Sequence, residues 1–137
     1  MPKKPISNFH EIMKEAYEDR SILDRTYSVD RVAKLLGTSK TYARKKISKL
    51  KKEKGAVPVK RGEETRYRFT VDGIAYLTLD EYKRELDRIG KDVEGGTYLL
   101  NQKALKKVQN VRGEVAEMVD DLNRLWSRQT SSLPDST

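Results

Sequence analysis

From Ala104 to Leu125 the apolar residues Ala104, Val108, Val111, Val115, Met118, Leu122 and Leu125 recur at steps of four and three, the spacing of a coiled-coil seam. Asn101 stands one step earlier, and Leu105, Val119 and Trp126 widen the apolar face on one flank. So broad a stripe on an isolated helix would stay wet and only marginally helical, so it must fold back on the chain or meet another one. The expectation is a helix over 98–128 that pairs with a second copy through Val108, Val111, Val115, Met118, Leu122 and Leu125. The joint before it spans 91–97 and carries Gly95-Gly96. The stretch 129–137 has no periodicity and is expected to be a disordered tail.

Little else in the chain can build a large core. The chain has 137 residues, of which 36% are apolar and 36% charged, with one Trp and two Phe. This suits one small lobe plus an appendage. The absence of cysteine rules out disulfides, a thiolate nucleophile and thiolate-ligated zinc. No apolar run approaches the length of a membrane span, and MPKKPISNFH lacks the apolar stretch of a signal peptide. A cytoplasmic protein with no membrane partner is expected.

Residues 1–90 show two periodicities. Phe9, Ile12, Met13, Ala16 and Tyr17 recur at helical spacing behind Ser7 or Asn8 as cap, and that helix should end near Arg20. Ser28 caps a short helix whose apolar face is Val29, Val32, Ala33 and Leu36, stopped by Gly37. Ser39 caps a second helix with Ala43, Ile47 and Leu50 on its inner side. After Gly55 the period becomes two: Tyr67, Phe69 and Val71 alternate with Arg66, Arg68 and Thr70, and Asp72-Gly73 reads as a hairpin turn into IAYLT. Thr78 with Glu81 then predicts the cap of a further helix ending at Gly90. The fold class is mainly α with a small antiparallel β-hairpin, an α+β arrangement.

Charge is concentrated in one place. Between Lys40 and Arg61 ten basic residues face one acid, Glu53, which gives that segment +9 of a chain whose total is +8. In VDRVAKLLGTSKTYARKKISKL, Ala33 stands four residues before Gly37, and Ala43, Ile47 and Leu50 stand six, ten and thirteen after it. A small residue lets two helices cross closely, Gly adopts the left-handed turn, and the later apolar residues seat the second helix on the first. With the hairpin behind it, the segment Ser28 to Leu77 resembles the winged helix-turn-helix of prokaryotic, phage and plasmid DNA-binding proteins. Ala43 departs from the pattern, being smaller than the usual branched residue.

The resemblance implies that the second helix enters the major groove with its N-terminal residues nearest the bases. Lys40, Thr41 and Arg44 are then the base-reading candidates, and Arg44 suits a bidentate pairing with guanine. Tyr42 would touch a base or the backbone, Ser39 would meet a phosphate, and Lys45, Lys46, Lys49, Lys51 and Lys52 would supply point charges. Lys60 and Arg61 at the hairpin tip, with Arg66 and Arg68 on its strand, would reach a neighbouring groove or backbone, limited by Glu63 and Glu64.

No catalytic set presents itself: the one histidine, His10, lacks a nucleophile partner, and there is no phosphate-binding glycine loop or metal-ligand spacing. Tyr67, Tyr76 and Tyr82 sit at apolar-periodic positions and are expected in the core, while Glu114, Glu117, Asp120 and Asp121 are expected to be solvated. The expected function is sequence-specific binding of double-stranded DNA by a homodimer without cofactors or enzymatic activity. Transcription regulation is the commonest use of such an architecture. Segregation or replication of plasmid or phage DNA, by coating a site and recruiting a protein partner, is the alternative.

Overall fold

A computed structural model describes residues 6–94 and 98–132. It is mainly helical with one two-stranded antiparallel sheet. In chain order it holds α1 (Asn8–Glu18), a 3-10 turn (Arg20–Asp24), α2 (Val29–Leu36), α3 (Lys40–Lys52), β1 (Ala56–Arg61), β2 (Glu64–Phe69), α4 (Val71–Glu94) and α5 (Tyr98–Ser132). Side-chain caps set the helix starts: the hydroxyls of Ser7, Ser28 and Ser39 accept from the amides of His10, Arg31 and Tyr42. Gly37 closes α2 at φ 68°, where its amide reaches the Ala33 and Lys34 carbonyls and turns the chain into α3 within three residues.

The hairpin turns at the tip expected beside Lys60 and Arg61, and the second turn expected at Asp72-Gly73 does not form. β1 pairs with β2 in the register Ala56 to Phe69 through Arg61 to Glu64, and the turn is made at Gly62, φ 65°. Asp72-Gly73 is not a turn, and IAYLT is not a strand; both belong to the first turns of α4. The reason is a helix start hidden in Thr70, whose hydroxyl accepts from the Gly73 amide while its carbonyl accepts from Ile74. Likewise Thr78 does not start a helix: its hydroxyl donates to the Ile74 carbonyl one turn back, inside a single helix of 24 residues. α4 passes through Gly90 without ending, because the packing of Tyr82 and Ile89 outweighs one unfavourable residue. Backbone bonds in both directions between Tyr27 and Tyr67 fasten the segment before α2 to the hairpin. Phe69 then meets Phe9 edge-on, with ring centroids 6.2 Å apart.

α5 folds back on the chain. Ala104, Val111, Met118 and Leu125 are buried in the same core as Phe9, Phe69 and Tyr82, with Val108, Val115 and Leu122 packed partly buried beside them. The seam assigned above to a second copy therefore closes on α4 and α1, because an intramolecular partner is always present at high effective concentration. Polar bonds fix the flank that faces α1: Glu114 accepts from the Ile6 amide, Glu117 from Lys14, and Asp121 pairs with His10. Helical spacing puts Leu79 and Leu86 on the flank of α4 opposite Glu81, which faces α1. Leu105 and Val119 take the corresponding outer flank of α5. These four side chains stay 37–52% exposed. The helix also extends past the boundary read from sequence, through Ser132. Gly95-Gly96, the side chains of Asn101 and Trp126, and residues 133–137 lie outside what the structure describes.

Candidate nucleic-acid interface

α3 has three faces with different tasks. Ala43, Ile47 and Leu50 are buried against the chain, and α2 packs against the same side. On the opposite side Thr41, Arg44, Lys45, Ser48, Lys51 and Lys52 are all exposed, together with Ser39 and Lys40 at the start. Glu53 at the C-cap is the only acid in the segment. Lys40 pairs with Asp30 of α2 at 3.1 Å, but both side chains are more than half exposed. Such a pair is worth at most about 1 kcal/mol and yields readily to a phosphate.

The third face is locked to α4. Tyr42 donates its hydroxyl to both carboxylate oxygens of Asp80, at 2.8 and 3.0 Å. The same carboxylate takes Lys46 at 3.2 Å and Arg84 at 3.0 Å. Burial alone would push the Asp80 carboxyl up, yet the bonds from Tyr42, Arg84 and Lys46 together outweigh it and hold the group below the usual aspartate range. Lys46 behaves as its complement: burial works against its charge, but Asp80 and Tyr76 raise its pKa overall. Its ammonium stands 5.3 Å from the Tyr42 ring centre and 5.5 Å from that of Tyr76, with Lys49 5.3 Å from Tyr76 on the outer side. Tyr42, expected at the DNA, is thus a structural tie, half-buried with its hydroxyl occupied.

The hairpin divides similarly. Lys60 and Arg61 are exposed at the Gly62 turn, beside exposed Glu63 and Glu64. Arg66, expected to reach DNA, is half-buried with its guanidinium engaged within the chain. Its guanidinium donates to the Thr26 hydroxyl and carbonyl, both at 2.9 Å, and stands 3.6 Å from Glu64. Over α3 and the hairpin the exposed cations therefore comprise Lys40, Arg44, Lys45, Lys49, Lys51, Lys52, Lys54, Lys60, Arg61 and Arg68, with Ser39 and Thr41 as neutral hydroxyls, whereas Lys46 is engaged by Asp80.

Sequence reading missed Asp80 and Arg84, which orient the surface without belonging to it. Their spacing of four on one helix was a visible signal, but their partners in α3 lie 34 or more residues away and carry no local mark. It also missed the bonds of the carboxylates facing α1: Glu114, Glu117 and Asp121 are bonded to other elements, although Glu117 and Asp120 are exposed as expected. His10 is fully buried, with Nε2 2.9 Å from Asp121 and Nδ1 2.6 Å from the Tyr82 hydroxyl, so it serves structure. Burial pushes the Tyr82 phenol up, with the Glu114 charge adding to it. Tyr82 is in the core, while Tyr67 and Tyr76 are partly buried at its edge. Among the described residues no group of three or more acidic or histidine side chains could hold a metal ion, and no helix is long and apolar enough to cross a membrane.

Comparison with protein-family models, curated proteins and solved structures finds no match to this chain.

Proposed function

We propose that this chain is a homodimeric, sequence-specific binder of double-stranded DNA, acting as a transcription regulator, that presents the exposed face of α3 to the major groove as a winged helix-turn-helix does. The observation that carries the reading is the segregation of charge on α3. Arg44, Lys45, Lys51 and Lys52 share the side turned away from the core, whereas Lys46 is neutralised by Asp80 on the side facing α4. A merely solvated helix needs no such division. Thr41 and Arg44 near the N-terminus are the base-reading side chains, and the lysines beyond them grip phosphates. Pairing of two copies through the exposed flank of α4 and α5, at Leu79, Leu86, Leu105 and Val119, would present two such helices to two half-sites.

Titration of a labelled duplex at several salt concentrations tests the reading. If each protomer neutralises about five phosphates, the log-log slope is about −9 per dimer. A flat salt response sinks the proposal. Footprinting over a promoter tests the regulatory role: a short protected palindrome supports it, and protection that spreads along flanking DNA replaces it with site coating.

A further inference from the structure

Away from the α3 surface, a cavity of about 360 Å³ opens between the start of α1, the end of α2 and the middle of α4. Asn8, Lys34, Leu36, Glu81, Arg84 and Arg88 are among the residues on its wall. We infer that this cavity is a binding site for a small organic anion, held by Arg84, and that its occupancy is transmitted to α3. The volume falls within the range of small-molecule sites, and the wall is charged rather than greasy. Three cations, Lys34, Arg84 and Arg88, face two acids, Glu81 and Glu85. Glu85 already holds Arg88 at 2.5 Å. Burial pushes the Glu81 carboxyl up to about 7, so near neutrality it offsets less than a full positive charge. Arg84 is also paired with Asp80, but it shares that carboxylate with Lys46, so with Lys34 the wall can take one further negative group.

The wiring of Arg84 supplies the coupling. Its guanidinium donates to the Leu36 carbonyl, the last residue of α2, at 2.8 Å and to Asp80 at 3.0 Å. The beginning of the cavity wall is tied to the same spot, since the Asn8 amide donates to the Leu35 carbonyl at 2.8 Å. A guanidinium has five N–H groups in a fixed fork, which matches a carboxylate or a phosphate. An anion that draws Arg84 toward the cavity competes with Leu36 and Asp80 for it. Asp80 in turn holds Tyr42 and Lys46 of α3. The seat of α3 on α4 and the turn at Gly37 therefore share one side chain with the cavity. A ligand there sets how α3 is held, which under the DNA-binding reading makes it an effector.

The test uses the full chain, labelled for amide NMR and titrated separately with inorganic phosphate and with citrate. The expected result is saturable shifts at Leu36, Gly37 and Tyr42, with a Kd in the range of about 1–10 mM for such minimal probes. Lys34→Ala should weaken binding about threefold or more without changing the fold, and Arg84→Lys should abolish it by removing the fork. Tighter binding of citrate assigns a carboxylate ligand, and tighter binding of phosphate a phosphorylated one. Shifts confined to the exposed side chains and amides of Lys45 to Lys52, a response that never saturates, or one indifferent to Lys34→Ala, overturns the proposal. If Arg84→Lys fails to fold, Lys34→Ala still decides. No duplex enters the measurement, so this inference and the DNA-binding reading fail separately.

Discussion

Gly73 packs against the backbone of Gly55 so closely that a Cβ on Gly73 would fall 2.1 Å from the Gly55 carbonyl oxygen. That contact joins the end of α3 to the start of α4, and the Thr70 amide donates to the same carbonyl at 3.0 Å. Helix propensity alone makes Gly73→Ala favourable by about 1 kcal/mol. The contact reverses the sign, because neither partner is a movable side chain, and a loss of roughly 2–4 kcal/mol is expected. Gly90→Ala is the counterpart: it lies exposed in the same helix with nothing within 4 Å of the added methyl. It should gain about 0.5–1 kcal/mol. Urea unfolding of the two variants checks both signs.

Asp80 gathers Tyr42, Lys46 and Arg84 on one buried carboxylate, so its removal leaves three donors without their shared acceptor. Asp80→Ala should cost about 2–4 kcal/mol, and Tyr42→Phe about 1 kcal/mol. The pH dependence has a definite sign. The folded pKa lies below the ordinary 3.8, so the contribution is fully present above that value and is lost as pH falls through the lower folded pKa. Acid unfolding of Asp80→Ala should lack this part of the low-pH loss. An unchanged acid limb would show that the cluster contributes little.

Glu81 works in the opposite direction. It is 8% exposed and accepts from the Phe9 amide at 3.4 Å, and burial raises it from 4.5 to about 7. The folded state holds this proton more tightly than the unfolded one. Stability from the group is therefore greatest below pH 4.5 and declines as pH rises toward 7, by about 3 kcal/mol in all. Glu81→Gln keeps an acceptor for Phe9 and removes the charge. It should flatten the profile between pH 4.5 and 7 and melt higher than the parent at pH 8.

What was legible in the sequence was whatever a local pattern marks. Ser28, Gly37 and Ser39 announce the two helices because caps and a left-handed turn act over three or four residues. Ala43, Ile47 and Leu50 show the inner face of α3 by spacing alone. Asp72-Gly73 misled because the hairpin signal is statistical, whereas here Gly73 answers to a backbone 18 positions away that no pattern displays. Tyr42 and Arg66 were assigned outward for the same reason. Their partners Asp80 and Thr26 lie 38 and 40 residues away, so only the fold brings them together. The seam of α5 was visible, but spacing does not say whether the covering surface belongs to the same chain.

Arg66 distinguishes an internal anchor of β2 from a phosphate contact. If its role is to fasten β2 to Thr26, Arg66→Ala should lower stability by about 1–2 kcal/mol and leave duplex affinity near parental below the melting point. Lys52→Ala, exposed on α3 and free of structural bonds in the interior, should weaken binding to all sequences alike and reduce the salt slope by about 1. Arg44→Ala should instead relax sequence preference. Equal losses for Arg66→Ala and Lys52→Ala would return Arg66 to the interface.

The outer flank of α5 gives the last test, because it separates residues that hold the chain together from residues open to a second copy. Met118 is 1% exposed in the core, while Val119, its neighbour in sequence, is 45% exposed and Leu105 is 52% exposed. A charge at Met118 is buried without a partner, so Met118→Lys should unfold the chain or cost more than about 4 kcal/mol. A charge at Val119 or Leu105 stays in water in a monomer and costs little. In a dimer joined through this flank it is desolvated twice, once in each copy. Light scattering should therefore report a dimer for the parent and a monomer with parental helicity for Leu105→Lys with Val119→Lys. A dimer that survives both substitutions places the contact elsewhere, and a parent already monomeric at about 100 µM removes the pairing from the proposed function.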